Sequence, residues 1–184
     1  MSIIIKSIKK MSSQASIWNY SLSKIGIVPT MGALHLGHKS LIKIAKKESD
    51  IVVVSIFLNP KQFNSEEDLN TYPSNIDNDI KVCRDLNVDF IFIPSLDDIY
   101  TQDHSCFVIE DFISNKSLCD QSRPGHFSGV CTIVLKLFNI IQPSIAVFGE
   151  KDAQQLRIVE RMVNDLNIPV KILRAPIIRE KNGL

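Results

Sequence analysis

The sequence predicts an α/β fold in which helices cover both faces of a parallel β-sheet. Short β-branched runs bounded by turn residues alternate with stretches of helical period along the 184 residues. Several of these runs, such as residues 51–57, are continuously apolar rather than alternating, as strands buried on both faces are. With 45% hydrophobic residues, the chain can bury a sizeable core and has the usual size of one domain.

Seven segments are predicted to be strands because they are short, rich in β-branched or aromatic residues, and bounded by turn residues. They are residues 3–5, 25–29, 51–57, 90–94, 106–109, 145–148 and 170–173. The order of strands and helical stretches along the chain is typical of βαβ units. A doubly wound parallel sheet is the expected architecture.

Three segments are predicted to be helices. One covers residues 39–47. In the second, between Gly129 and Pro143, apolar residues recur at helical spacing and form one stripe: Val130, Ile133, Val134, Leu137, Phe138 and Ile141. The third follows Lys151, and its first turn is left for binding because the apolar residues begin at Leu156. The polar stretch 64–79 is predicted to be a loop that runs into a helix.

Composition excludes several classes of function. The formal net charge is +1, from 21 basic and 20 acidic residues, so no overall attraction to nucleic acid or to an anionic membrane is expected. The apolar runs are far shorter than the roughly 20 residues that span a bilayer. The four cysteines have no CxxC spacing, and the first 30 residues lack the pattern of a signal peptide. A reducing cytoplasm is therefore expected.

The strongest local motif is PTMGALHLGH, residues 29–38, which follows one predicted strand and precedes a predicted helix. Free backbone N–H groups and the helix dipole make such a junction an anion site, and Gly32 and Gly37 would let phosphate oxygens approach the backbone. His35 and His38 could donate hydrogen bonds to phosphates. Either histidine alone could equally cap or pack the helix start, but the pair favours function. A zinc site is weaker because no third ligand is evident.

Three further clusters carry polar groups, two of them at predicted strand ends and one before the long apolar helix. Lys151 and Asp152 open a helix, where they could bind a phosphate and ribose hydroxyls, or be an ordinary solvated lysine and a dipole-stabilising aspartate. Asn59 and Gln62 follow the strand at 51–57 and could hydrogen-bond a small polar acid, or form a plain turn. Arg123 could bind a carboxylate or phosphate, or make a surface ion pair.

Taken in order, four motifs closely resemble the pantothenate synthetase family: VPTMGALHLGH (28–38), FLNPKQF (57–63), RPGHFSGV (123–130) and FGEKDAQQL (148–156). HxGH alone is shared by a wide superfamily of nucleotidyltransferases and class I aminoacyl-tRNA synthetases. RPGHF followed by GEKDxQQL is far more specific. The resemblance implies a Rossmann-like domain followed by a C-terminal lid domain. It also implies formation of pantoyl adenylate from pantoate and ATP with magnesium, attack by beta-alanine, and cytoplasmic homodimers in the coenzyme A pathway.

Carried over residue by residue, the resemblance implies two ATP-binding segments. The first is Met31, Gly32, Ala33, Leu34, His35, Leu36, Gly37 and His38, with His38 as proton donor. The second is Gly149, Glu150, Lys151 and Asp152, which would hold ribose and phosphates, with Lys151 assisting catalysis. Ile178 would contact adenine through its backbone.

The resemblance also implies sites for the other substrates and for the metal. Pantoate would be bound by Gln62 and Gln155, with its dimethyl carbon against an apolar wall of Val130, Ile133, Val134 and Leu137. Beta-alanine would contact Gln62 and Asn59. Asp79 would be a magnesium ligand, because the family's acidic residues after the YP motif map near Asn78 and Asp79 and only Asp79 keeps a carboxylate.

Two departures from the family pattern affect the expectations. Ser74 follows the YP motif where the family commonly has arginine, at a position tied to dimer or loop contacts. The family also continues into a serine-serine-arginine-asparagine clamp and a lid. Residues 1–178 are thus expected to form the nucleotide- and pantoate-binding domain, and residues 179–184 to begin the hinge to a missing lid. This piece is expected to bind ATP or pantoate weakly and to turn over poorly.

Two rival functions remain from the sequence. The first is another HxGH nucleotidyltransferase, against which Gln62 and Gln155 argue because they resemble pantoate-binding glutamines. The second is a nucleotide-binding module that serves as an interaction partner and forms no adenylate.

Overall fold

The computed structural model describes residues 2–63, 65–111 and 125–179. In these ranges six strands form one parallel sheet, and the helices pack on its two faces. The strands are β1 (Ile3–Ile5), β2 (Ile25–Thr30), β3 (Ile51–Ile56), β4 (Phe90–Phe92), β5 (Ile145–Gly149) and β6 (Lys171–Ala175). The helices are α1 (Ile8–Tyr20), α2 (Leu36–Glu48), α3 (Glu66–Thr71), α4 (Ile76–Asp85), α5 (Leu96–Ile99), α6 (His126–Ile141) and α7 (Ala153–Asp165). Short 3-10 turns cover Pro60–Gln62 and Glu150–Asp152.

The strand order β1-β4-β3-β2-β5-β6 determines where a ligand can enter. From β2 the chain builds outward through β3 and β4 on one side, and later returns to place β5 on the other side. In an open α/β sheet, the loops at the carboxyl ends of the strands diverge where the order reverses, and the crevice between them receives ligands. The carboxyl ends of β2 and β5 are therefore the expected place for a site.

The core consists of two apolar layers, one on each face of the sheet. Alternate residues along each strand face opposite layers, so Ile27 and Val53 pack with α1, α6 and α7. Val28 and Val54 pack with α2 and α4 on the other face. This arrangement confirms the predicted α/β class and the doubly wound parallel sheet.

One predicted strand is wrong. Residues 106–109 form no strand in the structure. The Val108 N–H donates instead to the Thr132 hydroxyl on α6 at 2.9 Å, while Phe107 and Ile109 are exposed. The β-branched and aromatic composition fitted a strand, but strand formation also needs a neighbouring ladder, which the short run could not predict.

The helical regions also differ from the sequence-based expectation. Part of the stretch predicted as a loop forms α3, which Ser65 caps by accepting the Asp68 N–H. Helix α1 was not predicted, although Met11, Ala15 and Trp18 lie on its buried side at helical spacing. Even α6, the 16-residue apolar helix, is too short for a bilayer, and no helix of the described residues has the length and apolar content of a membrane span.

Candidate active site

Two adjoining cavities lie at the carboxyl ends of β2 and β5. Their volumes are about 150 Å³ and about 230 Å³. Both are lined by Pro29, His35, His38, Phe148, Lys151, Asp152 and Gln155. We call the smaller one the nucleotide cavity and the larger one the acid cavity. A ligand in one cavity therefore shares a wall with a ligand in the other.

Asp79 on α4 holds the turn between β2 and α2 in place through hydrogen bonds to its backbone. Its two carboxylate oxygens accept the backbone N–H groups of Ala33 at 2.9 Å and Leu34 at 2.7 Å. The N–H of Gly32 donates to the Thr30 hydroxyl at 3.2 Å. Gly32 has φ +93°, and a Cβ there would lie 2.8 Å from an Asp79 oxygen. The close approach of the carboxylate thus needs glycine.

These bonds correct the expectation that free backbone N–H groups of this turn bind phosphate. The N–H groups of Gly32, Ala33 and Leu34 already have protein acceptors, and Leu34 is buried in the core. Among the described residues that were assigned to nucleotide binding, neither cavity is lined by Gly32, Ala33, Leu34, Leu36 or Glu150. The side chains of His35, His38 and Lys151, which line both cavities, are therefore the candidate phosphate donors.

Asp79 does not fit a magnesium site in this arrangement. It is 1% exposed, and each of its oxygens already accepts a charge-assisted hydrogen bond from the backbone. Magnesium needs open oxygen ligands in an octahedral arrangement. Within residues 2–63, 65–111 and 125–179, no group of three or more His, Cys, Asp or Glu side chains could hold a metal ion. A metal-ligand role for Asp79 stays a prediction, and the hydrogen bonds that it accepts from Ala33 and Leu34 argue against it.

The two histidines are oriented by backbone donors. The Nδ1 atom of His35 accepts the Gly37 N–H at 3.0 Å, and the Nδ1 atom of His38 accepts the His35 N–H at 3.4 Å. Because a backbone N–H can only donate, both Nδ1 atoms are unprotonated, so each neutral ring carries its hydrogen on Nε2. The rings stand 4.2 Å apart between centroids. Both cavities therefore face side chains whose remaining ring nitrogen is a donor.

This geometry explains the spacing of the HxGH motif. His35 is the N-cap of α2 and folds its ring back over the first turn. A Cβ at Gly37 would lie 2.8 Å from the His35 ring, so only glycine leaves room for it. His38, three residues after the cap, returns to the backbone of His35 and completes a capping box.

His38 is held in its neutral form. Burial lowers the pKa of His38 to about 4, and the nearby His35 and Lys151 act in the same direction. At neutral pH the ring is uncharged and donates a hydrogen bond through Nε2–H. The environment thus favours a hydrogen-bond donor over a charged acid before a ligand arrives.

The end of β5 supplies the opposite wall. Gly149 lines the nucleotide cavity, and Lys151, Asp152 and Gln155 line both cavities. Lys151 is exposed, so its ammonium is free to move toward an anion. Ile178, which is 47% exposed, lines the nucleotide cavity. Apart from Glu150, the site residues predicted in this part of the chain are therefore brought together with the two histidines.

The acid cavity combines an apolar wall with amides. Val130, Ile133, Val134 and Leu137 of α6 line it, and all four are nearly fully buried. Met31, Asn59 and Gln62 line it from the ends of β2 and β3. Tyr72 and Phe57 also line it and were not among the predicted site residues. Tyr72 stands directly before Pro73, but nothing in the sequence around either aromatic residue predicts that it lines a cavity.

The Asn59 carboxamide makes four hydrogen bonds within the protein. Its Nδ2 donates to Gln62 Oε1 and to the carbonyl of Gly129, both at 3.1 Å. Its Oδ1 accepts the Tyr100 hydroxyl at 2.9 Å and the Lys61 N–H at 3.3 Å. Asn59 is 0% exposed, so a direct contact with beta-alanine stays a prediction. The observed bonds make Asn59 a support for Gln62.

The loop that carries Gln62 is packed tightly on α6. A Cβ at Gly129 would overlap the Lys61 carbonyl oxygen. The His126 ring nitrogen Nδ1 is 2.7 Å from the Gln62 carbonyl oxygen. Gly129 and His126 both belong to the RPGHFSGV motif, but the sequence predicts neither contact. Arg123 of the same motif lies outside the described residues.

A third depression, of about 480 Å³, lies at the opposite edge of the sheet and is lined by Asn19, Gln142, Ser144 and neighbouring apolar residues. No charged side chain lines it among the described residues. It therefore lacks the titratable groups that the two cavities at the other edge combine.

Comparison with known proteins places these features in one family. A family model described as pantoate-beta-alanine ligase matches residues 3–184. A pantothenate synthetase of Thermosipho melanesiensis is 52% identical over 182 residues, which are 98% of this chain and 64% of the relative. That of Enterococcus faecalis is 50% identical, and the match covers 99% of this chain and 64% of the relative. The chain thus spans slightly less than two thirds of the length of these relatives.

Solved structures agree with these matches. The pantothenate synthetase of Thermus thermophilus superposes with a TM-score of 0.92 at 36% identity, over 99% of this chain and 64% of that one. The pantoate-beta-alanine ligase of Francisella tularensis, complexed with beta-gamma ATP and beta-alanine, gives a TM-score of 0.93 at 46% identity. The match covers 100% of this chain and 70% of that one.

Proposed function

The chain belongs to the pantoate-beta-alanine ligase family, and we propose on that premise that the complete protein joins pantoate to beta-alanine through a pantoyl adenylate, with release of AMP and pyrophosphate. One observation carries the proposal. A cavity with cationic and imidazole donors shares its wall with a cavity that combines amides and an apolar surface. Such a pair suits a nucleotide next to a small branched acid.

We assign ATP to the nucleotide cavity and pantoate to the acid cavity. The Francisella tularensis ligase was solved with an ATP compound and beta-alanine, which supports ATP and beta-alanine as substrates by relationship, and the family description supports pantoate. Gly149 and Ile178 would face the nucleoside, and Asp152 would accept hydrogen bonds from ribose hydroxyls. Gln62 and Gln155 would bind pantoate, with Val130 and Val134 against its dimethyl carbon.

The first step requires the negatively charged pantoate carboxylate to approach the negatively charged phosphates of ATP. A pantoate carboxylate oxygen attacks the α-phosphorus, a new P–O bond forms, and the bond to the bridging oxygen breaks as pyrophosphate leaves. The Nε2–H groups of His35 and His38 and the ammonium of Lys151 would stabilise the charge that develops on the departing phosphates. The amine of beta-alanine then attacks the adenylate carbonyl carbon, AMP leaves, and the nitrogen loses a proton.

His38 would act in this scheme as a neutral hydrogen-bond donor. Its low pKa makes the imidazolium scarce at neutral pH, and its Nδ1 is engaged by the backbone of His35. The hydrogen on Nε2 is therefore the one available to a phosphate oxygen. This role differs from the full proton donor that the family resemblance implies.

Magnesium belongs to the reaction by resemblance to the family. When bound, it would neutralise phosphate charge. Asp79, the carboxylate that the resemblance assigns to the metal, does not fit as its ligand because its oxygens already accept backbone hydrogen bonds. A homodimeric state, a cytoplasmic location, and a domain division near residue 178 are likewise proposed on the resemblance alone.

Pantoate-dependent exchange of labelled pyrophosphate into ATP tests the adenylate mechanism. We expect exchange with the complete protein only when pantoate is present, and little or none with the 184-residue chain. His38→Ala in the complete protein should lower exchange by roughly a hundredfold or more, as loss of a transition-state donor does. Absence of exchange in the complete protein would favour another nucleotidyltransferase or a binding module.

A further inference from the structure

The side chain of Gln62 is held by a chain of hydrogen bonds that begins outside the cavities. Tyr100 donates to Asn59, and Asn59 donates to Gln62. We call these three residues the Tyr100 relay. Tyr100 lines neither cavity and is 7% exposed. The hydrogen-bonding effect of Tyr100 on a substrate therefore passes through the other two residues, whereas its ring also packs near Phe57, which lines the acid cavity.

The orientation of the Asn59 carboxamide is fixed by partners of opposite character. The Lys61 N–H can only donate, so it must face Oδ1, and the Gly129 carbonyl can only accept, so it must face Nδ2. Both hydrogens on Nδ2 are then used, one toward Gly129 and the other toward Gln62. No second orientation of Asn59 satisfies these partners.

The orientation of Gln62 follows from that of Asn59. Its Oε1 must accept from Asn59 Nδ2 at 3.1 Å, which leaves Nε2 on the side of the acid cavity. There Nε2 lies 2.9 Å from the sulfur of Met31, a weak acceptor. A carboxylate or hydroxyl oxygen of a substrate is a much stronger acceptor. Gln62 is thus prepared to donate to a substrate rather than to accept from it.

The Tyr100 hydroxyl is a dependable donor. Burial raises the pKa of Tyr100 to about 12, against the lowering effect of the bond to Asn59, so the hydroxyl keeps its proton throughout the physiological range. Its ring is held by an edge contact with His104 at 4.8 Å between centroids. The ammonium of Lys136 lies 5.6 Å from the ring centroid. The ring therefore has little freedom to turn its hydroxyl away.

We infer that Tyr100 is a positioning residue for the acid substrate, because its hydroxyl holds Asn59 and thereby fixes the Gln62 carboxamide as a donor into the acid cavity. This inference rests on the proposed function, which places pantoate there. Removal of the hydroxyl leaves Asn59 Oδ1 with only the 3.3 Å bond from Lys61. Asn59 then keeps its orientation but loses the shorter of the two bonds on Oδ1, so the carboxamide that orients Gln62 is held less firmly.

Tyr100→Phe in the complete protein tests the inference through its pattern of kinetic constants. We expect KM for pantoate to rise about tenfold, the value of one hydrogen bond, while KM for ATP stays unchanged. A merely structural role would lower the amount of active enzyme and leave both KM values as they were. Tyr20→Phe is the control, since Tyr20 is 94% exposed.

A double-mutant cycle tests whether the effect passes through Gln62. Gln62→Met removes the amide at similar volume, so Tyr100→Phe should add nothing to KM for pantoate in that background. Additive effects of the two substitutions would overturn the inference. An unchanged KM for pantoate in Tyr100→Phe alone would overturn it as well.

The side-chain amide signals of Gln62 give a readout that does not depend on activity. They are identified by their loss in Gln62→Met. In the wild type we expect the two signals to be displaced from those of exposed Gln102, because Oε1 accepts from Asn59, and in Tyr100→Phe to move toward those of Gln102. Signals of Gln62 that coincide with those of Gln102 in the wild type would overturn the inference even if Tyr100→Phe fails to fold. If the wild type shows no pantoate-dependent exchange of pyrophosphate, the proposed function fails, and the amide signals alone decide the positioning role.

Discussion

Replacement of Gly129 by alanine should damage the acid cavity more than the fold. An added Cβ would overlap the Lys61 carbonyl oxygen and would lie 2.5 Å from the Lys61 carbonyl carbon and 2.8 Å from the Gln62 nitrogen. Heavy atoms in contact prefer roughly 3.5 Å, so the backbone next to Gln62 must retreat by about 1 Å. The contact atoms belong to the backbone, so no side-chain rotation can relieve the clash.

The magnitudes separate the effects on catalysis and on stability. A shift of about 1 Å in a substrate-positioning group costs on the order of a hundredfold in rate. Overpacking costs about 1–3 kcal/mol of the free energy of unfolding. Removal of a glycine from a helix returns roughly 1 kcal/mol. We therefore expect kcat/KM for pantoate to fall about a hundredfold while the net loss of stability stays near 0–2 kcal/mol.

The assay is steady-state kinetics of the complete protein with pantoate varied, together with thermal unfolding of the same samples. Asn139→Ala is the control, because Asn139 is exposed on the same helix and the change also raises helix propensity. Wild-type kcat/KM for pantoate in Gly129→Ala would refute the reasoning. It would mean that the loop can yield without displacing Gln62.

Three further predictions concern the turn between β2 and α2 and the His38 side chain that follows it. Asp79→Asn sets an amide N–H against one of the two backbone N–H groups that the carboxylate accepts, so thermal stability should fall by about 1–3 kcal/mol and KM for ATP should rise. Exposed Asp77→Asn should change neither. His38→Gln, which can place an N–H near the position of Nε2, should keep more pyrophosphate exchange than His38→Ala; equal rates would argue against a donor role. Since the pKa of His38 falls to about 4 in the folded state, the unfolded chain binds its proton first on acidification. The free energy of unfolding of the wild type, relative to that of His38→Gln, should thus be highest above pH 6.5 and fall between pH 6.5 and about 4. A difference in melting temperature that does not change with pH would contradict the shift in pKa.

The sequence predicts the fold well where a pattern is local and repeated. The apolar runs of β2, β3 and β5 and the stripe on α6 each bury a recognisable face, so their strands and helix were predicted close to their observed bounds. The segment 106–109 has strand-like composition but no ladder partner, and its pairing depends on the whole sheet. Composition cannot supply that information.

The same distinction holds at the site. His35, His38 and Lys151 follow strand ends, and a parallel sheet brings such ends together. In the structure all three side chains line both cavities. The loss of free N–H groups in the turn was not predictable, because the acceptor Asp79 is 45 residues away from Leu34 in sequence. The support of Gln62 by Tyr100 is equally non-local. The sequence thus predicts which residues meet, but the partners that orient them depend on tertiary packing.

The position of β2 in the middle of the sheet also has a consequence for the order of folding. Strand β3 follows β2 after one helix and can pair early, whereas β5, which pairs with β2 at Gly26 and Ile27, is made much later. Such distant pairing slows folding, because the intervening chain must be ordered first. During synthesis, a nascent chain that ends before β5 presents an open and apolar central edge, which is prone to misassociation. The strand that completes the crevice therefore also ends the period in which the chain is most exposed to aggregation.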